Sequence, residues 1–267
     1  MRAEERKINE VKLDLVFIGS GNVAWHLAHA MDRAGHTVSQ VISRNEKHAE
    51  KLASRLGSQF GNDLSQTYVN CDICLICVSD DEIESVVSSL PYLNAGLVHT
   101  CGPKSMEILS SKSGQIGVFY PLQSFAKERK VDMFNVPVML ESASYDLSKK
   151  LYSLADSISN KVMEVKGEDR LKYHLAAVFA NNFTNYLYSE AEQYLVANDL
   201  DFSILHPIIL ETASRIQELS PAQLQTGPAK RGDEITIERH LELLNGHQQL
   251  KGLYEILTAG IRSRKSE

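Results

Sequence analysis

The chain has 267 residues, is 43% hydrophobic and 23% charged, and carries a formal net charge of −6. That length holds one large domain or two ordinary ones, and the balance is that of a globular protein. The acidic surplus argues against a basic face for nucleic acid or anionic lipid, and no apolar run reaches the length of a membrane span. The polar, charged stretch 1–12 reads as a short leader without a signal-peptide core, so the cytoplasm is the expected compartment.

Taken in order, the apolar run 13–18 ends in Gly19-Ser20-Gly21, and a helical pattern over 22–34 opens at Asn22. Strand, glycine turn and helix form the context of a dinucleotide fingerprint. Gly19 permits the tight turn, and Gly21 leaves room for a pyrophosphate. Ala24 takes the third position, where a small residue lets helix and strand pack closely. Ser20 and the free N–H groups near Asn22 and Val23 are the expected phosphate ligands, aided by the helix dipole. The plainer reading is a glycine turn that binds nothing.

A second strand over 37–43 ends in Ser43-Arg44-Asn45, with no acid to accept from a ribose 2′-hydroxyl. A hydroxyl and a guanidinium suit a 2′-phosphate, so NADP is expected over NAD. Alternatively, Arg44 is a solvated cap of the helix 45–56. A weak strand at 58–60 and a short helix at 64–69 follow. The buried-strand pattern 72–78 then runs into Ser79-Asp80-Asp81-Glu82, whose serine and aspartates are expected to cap a helix over 80–89. Backbone at Val78 and Ser79 is expected to border the adenosine half.

Cys71, Cys74 and Cys77 form a C-x-x-C-x-x-C run, and Cys101 completes the set. On a strand Cys74 and Cys77 point to opposite faces, so small buried hydrophobes are the expectation and no metal is expected. Strands over 97–100, 116–120, 136–141 and 161–165, with a helix over 145–158, complete about eight strands alternating with helices. Residues 1–166 are therefore expected to form a doubly wound α/β domain. Beyond Gly167 strand signals stop. Helices are expected over 168–197, 202–219, 235–244 and 247–262, with a polar loop, TGPAKRGD, at 226–233. Residues 167–267 are read as an all-helical substrate and dimerisation domain that packs against the first domain's cleft and forms a homodimer.

GSGNVA with Ser43-Arg44, followed by a helical domain reached through Gly167, resembles the 6-phosphogluconate dehydrogenase-like reductases. Pyrroline-5-carboxylate reductase, ketopantoate reductase, 3-hydroxyisobutyrate dehydrogenase and the deazaflavin-dependent NADP reductase belong to that group. More closely, the chain resembles a bacterial family with a Rossmann-like NADP domain and a helical domain of unassigned function. That family shows a strand-end HTSG, an HPLQTF and a TGPA-x-R-G-D before a histidine-bearing helix. Here these are His99-Thr100-Cys101-Gly102, the segment 120–125, and 226–233 followed by His240. The likeness spans nearly the whole chain. It implies a Rossmann sheet, NADP and hydride transfer.

Many relatives in the wider group carry a lysine before an Asn-Asn pair, which holds or protonates the reacting oxygen. This chain has Asn181-Asn182, but Val178 stands at the lysine position. His174 lies one turn earlier, on the α-helical face shared by 174, 178 and 181. It is the candidate acid or base, with Asn181 beside it, or else a helix histidine bonded to a neighbour. Tyr120 replaces the family's histidine, which weakens the case for catalysis from that segment. Asn181 and Asn182 are expected to be buried and to need partners. In the loop, Thr226, Gly227 and Arg231, with Asp233 holding the arginine, are the candidates for a substrate carboxylate. The alternative there is a helix cap at Asp233 and an interface ion pair at Arg231.

The reading is an NADPH-dependent reductase of a small, carboxylated carbonyl or imine compound. The nicotinamide is expected toward Cys101 and Gly102, with Asn182 among the substrate contacts. The rival is an NADP-binding sensor without turnover.

Overall fold

A computed structural model describes residues 12–264. The polar leader read over 1–12 lies outside the described residues, except for Lys12. An eight-stranded sheet has the order β3-β2-β1-β4-β5-β6-β7-β8. Its strands are β1 (Asp14–Ile18), β2 (Thr37–Ile42), β3 (Gln59–Gly61), β4 (Ile73–Ile76), β5 (Gly96–His99), β6 (Ile116–Pro121), β7 (Val138–Ser142) and β8 (Val162–Glu164). β1 to β6 run parallel, while β7 pairs antiparallel with β6 and β8 runs parallel to β7. The β6–β7 connection contains a single 3-10 turn, Met133–Asn135, and no crossover helix, so the chain returns antiparallel. The order reverses at β1 and β4, where an open α/β sheet places its ligand crevice.

Alternation along the central strands divides the core into two layers. Leu15, Phe17, Ile73 and Leu75 pack with Leu27 and Met31 of α1 (Asn22–Arg33), Leu52 of α2 (Glu46–Leu56) and Leu147 of α4 (Tyr145–Asp156). Val16, Ile18, Cys74 and Ile76 face the other way, onto Ile83 and Val87 of α3 (Ile83–Ser89). Cys71 and Cys74 join this second layer and Cys77 the first. Burial pushes the Cys71 and Cys77 thiols up to about 12, and they pack as small apolar groups. The helix expected over 80–89 begins as a 3-10 turn, Asp80–Glu82. Ser79 stands at its N-cap position with no side-chain hydrogen bond, so the expected serine cap is not formed.

Arg170 of α5 (Gly167–Ala177) is 1% exposed. Its Nε donates to the Gly102 carbonyl at 2.9 Å and its Nη2 to the Lys104 carbonyl at 2.6 Å. Nη1 pairs with Glu141 of β7, and Glu141 also accepts the Gly167 N–H at 3.1 Å. One buried cation thus ties together the loop after β5, strand β7 and the first turn of α5. The sequence texture changes at 166/167, but the compact unit holding the sheet continues to Asn181 and a second unit begins at Asn182. Arg170 accounts for the difference, because it binds α5 to the sheet.

The helix expected over 168–197 is interrupted. α5 leads into a π-helical turn, Val178–Phe183, and then α6 (Thr184–Val196). After a 3-10 turn at Phe202–Leu205, α7 (His206–Arg215) ends short of the expected residue 219. The remaining helices are α8 (Pro221–Leu224), α9 (Pro228–Arg231), α10 (Glu234–Leu243) and α11 (Gln248–Ser263). The polar loop 226–233 therefore contains a helical turn, α9, with Pro228 at its start and Gly232 in the left-handed conformation at its end. Among the described residues, no helix is long and apolar enough to cross a membrane.

Arg170→Ala strands Glu141 and two carbonyls, and is expected to lower stability by about 3–5 kcal/mol in urea unfolding at an unchanged m-value. A loss below about 1 kcal/mol would show that Arg170 is no anchor. His99 of β5 is fully buried, and burial foremost, then Arg170, pulls its pKa from 6.5 down to about 4. The unfolded chain protonates near the ordinary value and the folded chain only near 4, so acid favours unfolding. Stability is expected to fall as pH drops from 6.5 toward 4, by about 3 kcal/mol more than in His99→Asn. Parallel pH curves for the two proteins would refute this.

Candidate active site

The turn after β1 is set by Gly19, at φ +106°. A Cβ there would lie 2.2 Å from the Cys77 carbonyl oxygen, so only glycine fits. Its N–H donates to the Ile42 carbonyl at 2.7 Å, seating the turn among β1, β2 and β4. A Cβ on Gly21 would meet no atom within 4 Å, and Gly21 offers no side-chain cap to α1. The first N–H groups of α1 thus have no side-chain cap, which suits a phosphate, although Asn22 and Val23 do not themselves line the cleft at the switch point. Ser20 is buried, and its Oγ donates to Ser43 Oγ at 2.9 Å, linking the turn to the end of β2.

Sequence reasoning missed a strap across this helix. Asn22 Nδ2 donates to the Phe125 carbonyl at 2.9 Å. His26 Nε2 lies 2.9 Å from the Ala126 carbonyl, and its ring stacks on Phe125 at 5.2 Å. The Asn22 side chain is thus occupied in structure, which leaves its backbone N–H for an anion. Val23 is half-buried and packs against the core.

A cleft of about 530 Å³ opens at the switch point. Gly19, Ser20, Gly21, Ser43, Arg44, Val78 and Ser79 line it, as do His48, Glu82 and Lys127, which the sequence reading did not single out. His48 lies in the first turn of α2, three residues past Asn45, and that spacing was the available signal. Asn45 is the N-cap of α2 and accepts the His48 N–H, so Arg44 is not the cap. The Arg44 side chain is 86% exposed and reaches Glu82 at 2.9 Å. So exposed a pair holds weakly, and a phosphate can displace the carboxylate.

Cys101 and Gly102 do not line this cleft. They belong to a second cluster beyond the ends of β5 and β6. A Cβ on Gly102 would come within 2.9 Å of His174 Nδ1 and 3.1 Å of Tyr120 Oη. Over this glycine Tyr120 Oη and His174 Nδ1 stand 3.0 Å apart. Burial foremost, with the Asp80 carboxylate nearby, pushes the Tyr120 phenol up to about 12. Burial and Asp80 do the same to the Cys101 thiol. Both groups keep their protons at neutral pH.

Asn181 and Asn182 are exposed, against the expectation of burial. The π turn also places Asn181 out of the α-helical phase that would align it with positions 174 and 178. Within the helical unit, Asp233 caps α10 by accepting the Thr236 N–H at 3.1 Å and hydroxyl at 2.8 Å. Those bonds hold its carboxyl below the usual value. Arg231, 63% exposed, lies 3.9 Å from Asp233, too far for a tight clamp. Thr226 is exposed, and Gly227 takes φ +104° at the start of α9. His240 is engaged at 2.9 Å by the Tyr254 hydroxyl.

Residues 14–98 match the family described as NADP oxidoreductase, coenzyme F420-dependent, and residues 136–261 match a domain of unknown function, DUF2520. No match is found among curated proteins. The protein described as the putative NADP oxidoreductase BF3122 of Bacteroides fragilis is 35% identical with TM-score 0.87, over 95% of this chain and 99% of that one. The 1-pyrroline-5-carboxylate reductase of Streptococcus pyogenes shares the fold at 14% identity and TM-score 0.63, over 95% and 99% of the two chains. A reductive aminase of Aspergillus terreus, solved with NADPH4, cyclohexanone and allyl amine, does so at 12% identity and TM-score 0.70, over 96% and 97%. The chain therefore belongs to the NADP-dependent oxidoreductases, in the family of the Bacteroides protein that joins an NADP oxidoreductase domain to DUF2520.

Proposed function

We propose that the protein transfers a hydride from NADPH to the carbon of a small carbonyl or imine compound bearing a carboxylate. The observation that carries this reading is the open face at Gly21, beside a strand end that offers Ser43 and Arg44 and no acid. Gly19, Ser20, Gly21 and the first N–H groups of α1, at Asn22 and Val23, would hold the pyrophosphate. Ser43 and Arg44 would hold the 2′-phosphate, Val78 and Ser79 would border the adenosine, and Cys101 and Gly102 the nicotinamide. When bound, NADPH supplies the hydride. His174 supplies the proton that the reduced oxygen or nitrogen needs. Asn181 and Asn182, both exposed, are proposed as hydrogen-bonding groups for substrate. In the helical unit, Thr226, Gly227 and Arg231 are proposed for the carboxylate, and Asp233 is already committed to its cap.

A homodimer through the helical unit is part of the proposal. Among the described residues of that unit, only Ala229, Ile237 and Leu244 are buried hydrophobics, while Ile204, Ile208, Leu210 and Ile256 are well exposed. So small a core needs a partner surface. A dimer mass in analytical ultracentrifugation is expected, and a monomer at micromolar concentration would refute this part.

The cofactor reading is tested by titration with NADPH and NADH, followed through Trp25. Arg55 and Lys127 lie 5.1 and 5.7 Å from its ring, and Lys127 also lines the cleft, so the indole senses that cleft. NADPH is expected to bind at least roughly 10-fold tighter than NADH, and Arg44→Ala to remove most of that preference. Equal affinities in the unaltered protein would overturn the phosphate pocket.

A further inference from the structure

We infer that Tyr120 is a positioning residue that fixes the tautomer of His174 and refills its proton, so that His174 Nε2 is the group that protonates the substrate. The inference rests on the proposed reduction and deepens it.

The geometry is local and over-determined. Tyr120 stands near the end of β6 and His174 on α5, and their polar atoms are 3.0 Å apart. Gly102 lies directly beneath, where a Cβ would press on both at 2.9 to 3.1 Å. His174 is one helical turn beyond Arg170, and Arg170 grips the Gly102 carbonyl itself. The buried cation therefore fixes both the height of α5 and the glycine over which the pair meets.

The direction of the hydrogen bond follows from the surroundings. Burial foremost, with the Asp80 carboxylate nearby, keeps the phenol protonated, and Arg170 acts the other way. Among the described residues His174 Nδ1 is the one hydrogen-bond partner of the phenol, so the single phenol hydrogen is assigned to that contact and Nδ1 accepts it. A neutral imidazole that accepts at Nδ1 carries its own hydrogen on Nε2.

The step balances for a carbonyl substrate. As hydride adds to carbon, the Nε2–H bond breaks and an O–H bond forms on the former carbonyl oxygen. The phenol O–H breaks as Nδ1–H forms, so the ring stays neutral. The phenolate then recovers a proton from water, and the ring returns to its first tautomer. A phenol held near 12 is acidic enough for a developing alkoxide and too weak an acid to ionise at rest.

The test is nitrogen NMR on the full-length, ¹⁵N-histidine-labelled protein at mildly alkaline pH, where imidazoles are neutral. His174 is assigned by the signal lost in His174→Gln. It is expected to show a bare, hydrogen-bonded Nδ1 and a protonated Nε2. Tyr120→Phe and, independently, Gly102→Ala are expected to give mixed tautomers. With NADPH and 1-pyrroline-5-carboxylate or a 2-keto acid as probes, Tyr120→Phe is expected to lower kcat roughly 10-fold to 10²-fold, with NADPH affinity unchanged. A protonated Nδ1 in the unaltered protein, or an unchanged tautomer in Tyr120→Phe, overturns the inference. If turnover still falls in His174→Ala, the reductase reading stands without it. Full turnover in His174→Ala overturns the donor role itself, whatever the tautomer.

Discussion

The buried guanidinium of Arg170 is the contact on which the second half of the site depends. A charge at 1% exposure is tolerated only when it is paired and hydrogen-bonded, and here two carbonyls and a carboxylate meet its three nitrogens. Those acceptors come from the loop after β5 and from β7, so the ion pair fixes the position of α5 against the sheet. His174 inherits that position through a single turn of helix. Tyr120 reaches it from β6, and the space for the meeting exists because residue 102 has no side chain.

The first half of the site depends on a different economy. Gly19 is locked, because any Cβ would collide with the Cys77 carbonyl, whereas Gly21 faces nothing. One glycine makes the turn and the other leaves room. The cations around the cleft are held far more loosely than Arg170. Arg44 meets Glu82 across solvent, and Lys127 lies within reach of the Trp25 ring. Loose cations around a rigid backbone cradle suit a phosphate-bearing ligand, because little structure must be broken when it enters.

The N-terminal fold was legible because its signals are local and periodic. Apolar runs ending in glycine or serine located β1, β4 and β5, and alternation placed Cys74 and Cys77 on opposite faces, as their separate core layers show. The antiparallel turn of β7 was not legible, since it depends on what the β6–β7 connection lacks. Of the fingerprint residues singled out by spacing, Gly19, Ser20 and Gly21 line the cleft and Asn22 and Val23 do not. Arg170, Glu82, the Asn22–Phe125 strap and the Tyr120–His174 pair were not legible, because each joins residues far apart in sequence. Replacement of the family's histidine by Tyr120 argued against catalysis from that segment, yet the phenol is the partner His174 has. The asparagines misled in the opposite way. A π turn, which no periodicity announces, changes the phase of Asn181, and both amides are exposed.

The helical unit was the harder half for a physical reason. Amphipathic helices reveal that they have an apolar face but not what covers it. In the sheet, Phe17, Leu75 and Phe119 are fully buried within one chain, so pattern and burial agree. In the helical unit, Ile204, Ile208 and Leu210 follow the same logic of spacing and are nevertheless exposed. Three buried apolar side chains cannot offset the conformational entropy of ordering so many residues. The apolar spacing of that unit is therefore not matched by burial among its described residues. A reading confined to one chain recovers its capped and hydrogen-bonded features, such as Asp233 with Thr236 and His240 with Tyr254, and leaves its hydrophobic pattern unspent.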